Sequence, residues 1–126
     1  MPRSEEAAAW FSAVYKAVQE VPHGKVTSYG HIATLLGYLG ICLKHLPRAE
    51  DQPDARYNSD TVPWQRVVNA KGVISPRDGG TARQEAALNQ ENVEVEHGSL
   101  GERSIDFAAY GWFPRRLPSD DAEDSD

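Results

Sequence analysis

The sequence predicts a small α+β domain, mainly helical, with a short hairpin. Three observations predict it. Apolar residues recur at helical spacing near the start, two short apolar segments meet at a glycine, and two valine-rich segments flank a four-residue turn. A chain of 126 residues has room for one modest core.

Ser4 followed by Glu5 and Glu6 reads as a helix start, with a side-chain acceptor at the cap and acids facing the helix dipole. Trp10, Phe11, Val14, Tyr15 and Val18 then mark one buried face, and Val21-Pro22-His23-Gly24 ends the helix. Thr27 or Ser28 caps a second short helix with Ile32, Leu35 and Leu36 inward and Gly37 as its closing residue. A third apolar piece, Leu39 to Leu46, follows at once, which suggests a helix-turn-helix. Many small helical domains share that spacing. Pro47 to Asp60 is polar, acidic and aperiodic, so it is expected to be an exposed loop inserted in the domain. Val67-Val68 and Val73-Ile74 flank Asn69-Ala70-Lys71-Gly72 as a small hairpin. Thr81 with Gln84 three residues on has the form of a capping box for a helix running to about Asn92. An aromatic patch, Phe107, Tyr110, Trp112 and Phe113, closes the body, and the domain is expected to span 1–118.

Composition narrows the function classes. No stretch reaches the roughly 20 apolar residues that a bilayer span needs. A single cysteine, Cys42, excludes an internal disulfide and suits a reducing compartment; its apolar neighbours Ile41 and Leu43 predict packing rather than reactivity. The net charge of −6 argues against nucleic acid only until its distribution is considered. Ser119 to Asp126 is expected to be a disordered acidic tail with five acids and no base, and without it the remainder carries −1. A near-neutral body can still present a basic face to phosphates.

The specific signal lies in two blocks. Gly24-Lys25-Val26-Thr27-Ser28-Tyr29-Gly30 with Ile32-Ala33, followed by Val62-Pro63-Trp64-Gln65-Arg66-Val67-Val68, resembles the DNA-binding domain of the O6-alkylguanine-DNA alkyltransferases. The resemblance runs from about Ala8 to Pro114 and implies a winged helix-turn-helix-like fold of the methylated-DNA-cysteine methyltransferase type. In the repair enzymes the second block reads Pro-Cys-His-Arg-Val, and its cysteine accepts the alkyl group. Here Trp64 stands at the cysteine position and Gln65 at the histidine position. That pattern is the hallmark of the alkyltransferase-like proteins, which bind the damaged base without repairing it.

The chemistry of the residues agrees. Alkyl transfer needs a thiolate activated by a neighbouring base, whereas indole offers no nucleophile and glutamine takes no proton near neutral pH. Glu91 matches the glutamate of the family's activating triad, with nothing left to activate. A broad aromatic face can instead offset part of the stacking that an extruded base loses, at roughly 1–3 kcal/mol per base. The resemblance therefore implies a pocket with Trp64 as its floor and Pro63 and Val67 beside it. Tyr29 matches the tyrosine that helps rotate the target nucleotide's phosphate, and Ser28 combines helix capping with phosphate contact. For Arg66 the sequence leaves a pocket role and a structural ion pair equally open. Gly72 to Gly79 matches the loop that closes over the flipped base, with Ser75 and Arg77 as its candidate contacts.

One segment departs from the pattern. Family members carry an arginine on the recognition helix that enters the base stack in place of the extruded nucleotide. Between Lys25 and Arg48 this chain has no arginine, and Gly37 to Lys44 is shorter than the family pattern by more than one helical turn. Lys44 remains as the local cation, but a compact ammonium does not plug a stack as a planar guanidinium does.

The expectation is thus a non-enzymatic reader with no cofactor, no metal and no catalytic residue. Its expected partners are double-stranded DNA containing alkylated guanine and the proteins of nucleotide excision repair. It is expected to act as a monomer away from membranes, nuclear in a eukaryote and otherwise cytoplasmic. Three other readings stay open: an alkyltransferase with an unexpected nucleophile, a sequence-reading helix-turn-helix protein, and a degenerate member that binds lesions weakly.

Overall fold

The computed structural model describes residues 2–38, 40, 41, 43, 45–75 and 80–120, with side chains from Ala7 onward. Helix α1 spans Pro2–Gln19. It begins two residues before the expected Ser4 cap, because Pro2 fits the first helical turn, where no amide partner is needed. Val14, Tyr15 and Val18 are buried as the spacing requires, with Trp10 and Phe11 half-buried beside them. Strand β1 is Thr27–Ser28, and α2 is Tyr29–Leu36. The Ser28 hydroxyl caps α2 by accepting from the His31 amide at 3.0 Å. Gly37 ends it at φ 75°, a left-handed turn that a β-carbon would strain.

The second helix expected over Leu39 to Leu46 is absent from the described residues of that segment. Gly40 and Pro47 leave too short a run between them to nucleate a helix, and Ile41 and Leu43, two apart, reach the core from irregular chain. The candidate residues Lys44 and Cys42 lie outside the described residues.

The segment from Pro47 to Asp60 is turn-rich but better anchored than expected. Asn58 is buried; its side-chain oxygen accepts from the amides of Asp60 and Thr61, and its nitrogen donates to Gln52 O at 3.1 Å. Tyr57 meets the hydroxyl of Ser12 at 3.2 Å and packs against Tyr15.

A 3₁₀ turn, Trp64–Arg66, leads into β2, Val67–Val68. The expected hairpin forms only at its turn, where the Asn69 amide donates to Val73 O. Strand β2 pairs instead in parallel with β1, Thr27 opposite Val67 and Ser28 opposite Val68, and all four residues are buried. Val73 bridges to Ser104. Gly72 carries φ 80° and leaves no space, since a β-carbon there would lie 2.7 Å from Ile105 O.

Helix α3 spans Gly80–Gln90. Its capping box does not form: Gln84 is buried and donates to Gln65 O and Val67 O rather than reaching back to the helix start. Strands β3 (Glu96–His97) and β4 (Arg103–Ser104) make an antiparallel wing. Glu85 ties that wing to α3 through Arg103 at 2.7 Å. After α4 (Phe107–Tyr110), the chain crosses back beside Val26, buries Leu117 against Ala17, Val21 and Ile32, and reaches Ser119. Ser119 donates to Glu20 at 2.8 Å, one residue past the expected end of the domain. No described helix is long and apolar enough to cross a membrane.

Candidate nucleic-acid interface

The site is assembled by the β1–β2 ladder. Pairing Ser28 with Val68 brings the start of α2, and hence Tyr29, alongside the turn that carries Trp64. Local chemistry shapes that turn. Pro63, held at φ −76° and ψ 66°, sits at the centre of a tight reversal in which the Trp64 amide donates to Val62 O at 2.7 Å. The Arg66 amide then returns to Pro63 O at 3.0 Å. Trp64 is thereby pushed outward at the edge of the α1 cluster, half-buried, with the Arg83 guanidinium over its ring 5.4 Å from the centroid.

Behind the indole lies a closed polar network centred on Glu91. One carboxylate oxygen accepts from the Gly24 amide at 2.7 Å and from Arg66 Nε at 2.9 Å, and the other accepts from Gln65 Nε2 at 2.6 Å. Arg66 Nη1 also donates to Val21 O at 2.7 Å. Burial pushes the Glu91 carboxyl up, but the Gly24 amide, Arg66 and Gln65 together outweigh it and hold the group below its ordinary value. Glu91 is thus an ionised anchor. Arg66 makes the ion pair that was one of the two roles the sequence left open for it.

An open groove of about 390 Å³ runs past the indole, lined by Glu50, Asp60, Trp64, Gln65, Arg83 and Gln90. Its size falls within the roughly 300–1,000 Å³ typical of small-molecule sites. A second, of about 400 Å³, lies along Gln19, Thr61, Pro63 and Arg66. No group of three His, Cys, Asp or Glu residues suited to a metal occurs among the described residues.

The sequence-derived candidates divide accordingly. Ser28, Tyr29, Pro63, Trp64, Arg66 and Val67 are brought together around the ladder and the turn. Val67 is fully buried and lines neither groove. Ser75 is half-buried, and its carbonyl accepts from Thr81 Oγ1 at 3.4 Å. Arg77 lies outside the described residues, as Lys44 does. Sequence reading missed Arg83 and the groove acids Glu50 and Asp60. Arg83 precedes Gln84 on an apparently ordinary helix, and only the folded chain turns it onto Trp64.

Comparison with known proteins adds an independent line. Residues 9–93 match the family model described as the 6-O-methylguanine DNA methyltransferase, DNA binding domain. Alkyltransferase-like protein 1 of Schizosaccharomyces pombe is 39% identical over 113 residues, covering 83% of this chain and 95% of the relative. A DNA base-flipping protein of Vibrio parahaemolyticus is 33% identical, covering 80% and 93%. Among solved structures, S. pombe Atl1 in complex with damaged DNA containing O6-carboxymethylguanine superposes with a TM-score of 0.69 at 38% identity, covering 85% of this chain and 97% of that one.

Proposed function

The chain belongs to the family of the 6-O-methylguanine DNA methyltransferase DNA-binding domain, and from that premise we propose that it reads O6-alkylated guanine in DNA by extruding the nucleotide, without removing the alkyl group. The observation that carries this is the Trp64–Gln65–Glu91 arrangement. The position expected to hold a nucleophile holds an indole, and the glutamate expected to activate it is closed off by Gln65, Arg66 and Gly24. With no thiol to deprotonate, the network serves to hold the turn still, so that the aromatic face meets the base in one orientation.

In this reading Tyr29 and Ser28 engage the phosphate beside the extruded nucleotide at the start of α2, and Pro63 and Trp64 meet the base. Ser75, Arg77 and Lys44 add further contacts to the duplex, while Arg66 and Val67 support the site. Names of relatives that refer to base flipping, and a similar structure that holds damaged DNA, support the assignment. The protein acts as a monomer that flags the lesion for nucleotide excision repair, in the nucleus if the source is eukaryotic. It needs no cofactor.

The test pairs binding with chemistry. Incubated with a duplex bearing O6-methylguanine labelled in the methyl group, the protein shifts that duplex in preference to its unmodified match and emerges unlabelled. Label transferred to the protein would make it an enzyme. Equal binding of both duplexes would make it a general DNA-binding protein.

A further inference from the structure

Trp64 does not present a bare face. Its indole packs on the α1 cluster, and the Arg83 guanidinium lies over the ring. Two anchors hold the pair in place. Gln84, the next residue of α3, is fixed to Gln65 O and Val67 O at 3.1 and 3.0 Å, so the helix that carries Arg83 is bonded to the turn that carries Trp64. We propose that Arg83 sets the threshold for base entry: its guanidinium occupies the indole face that an extruded base needs, and a base stacks there only by displacing it.

This inference rests on the reading of Trp64 as the stacking floor and adds a residue to it. A guanidinium is planar and stacks on aromatic faces, so it competes with a purine for the same surface. Glu50 and Asp60 line the groove that Arg83 shares with Trp64, and their carboxylates can receive the cation once it leaves the ring. Every base meets the same cost of displacement. A base still paired in a sound duplex adds that cost to a full extrusion energy and stays in the stack, whereas a weakly paired base clears the sum. Arg83 therefore acts against insertion as such, and leaves backbone contact untouched.

The experiment compares wild-type protein, Arg83→Lys and Arg83→Ala on three duplexes: one with O6-methylguanine, its unmodified match, and one with an abasic site in the same position. Arg83→Lys keeps the charge and gives up the planar stack. An abasic site supplies no base to insert, so the lesion-to-abasic affinity ratio removes any change in general electrostatics. Both variants should raise that ratio roughly two- to fivefold, the range expected for a partly exposed cation–π contact. Circular dichroism and thermal melts confirm folding of each variant. A ratio that is unchanged or lower in a wild-type background that prefers the lesion overturns the role of Arg83 alone. A wild-type protein without lesion preference overturns the base-reading proposal and this inference with it.

Discussion

At the scale of single residues, Glu91 decides how the site is held. Its carboxylate is buried and accepts from a backbone amide, a guanidinium and a carboxamide, so removing it strands three donors at once. Glu91→Ala should cost about 3–5 kcal/mol of stability in urea titration, the usual cost of deleting one member of a buried ion pair. The same group gives a pH dependence of known sign. Because its folded value lies below the ordinary one, its contribution is fully present above the ordinary carboxylate range and is lost as pH falls through the folded value. The stability gap between wild type and Glu91→Ala should therefore narrow on acidification; a gap that widened would contradict an ionised Glu91. Glu91 was singled out in the sequence only through the family resemblance, which implies a triad glutamate at that position. Its partners were not, because Gly24 and Arg66 reach it from chain positions that no local spacing connects.

At the scale of elements, the fold is readable where a pattern repeats and obscure where one contact decides. The inward face of α1 and the Ser28 and Gly37 caps of α2 followed from spacing and cap chemistry. The parallel β1–β2 ladder did not, because two residues per strand are too few to show alternation, and Val67-Val68 fits a hairpin equally well. Nor did the capping box survive, since a buried Gln84 gains more from two carbonyls than from a helix end. The Pro47–Asp60 segment shows the same limit. Its polarity reads as a loop, yet Asn58 organises it from inside. Asn58→Ala should destabilise the protein by about 1–3 kcal/mol, because the amides of Asp60 and Thr61 lose their acceptor. Urea midpoints would register this, and a midpoint equal to wild type would mean that the segment is not anchored there. The stretch after Gly37 bears on binding rather than stability. Inserting about six or seven residues with an arginine before Leu39, more than one helical turn, should tighten binding to an O6-methylguanine duplex in equilibrium titration. Tight selective binding by the uninserted chain at physiological salt, with no gain on insertion, would refute that account of the segment.

At the scale of the whole molecule, in the proposed reading an indole, Trp64, stands where the family resemblance implies a reactive cysteine. In this chain a parallel ladder beside a pinned turn, braced by the buried Glu91 carboxylate, presents an aromatic surface. The measurement that tests this most directly is the fluorescence of Trp64 itself, isolated by Trp10→Phe and Trp112→Phe, during titration with a duplex carrying O6-methylguanine and with its unmodified match. Saturable quenching by the damaged duplex, with little response to the other, is the outcome expected of a stacked base. Identical responses to both, or none to either while the DNA is bound, would show that the indole is not where the lesion is read.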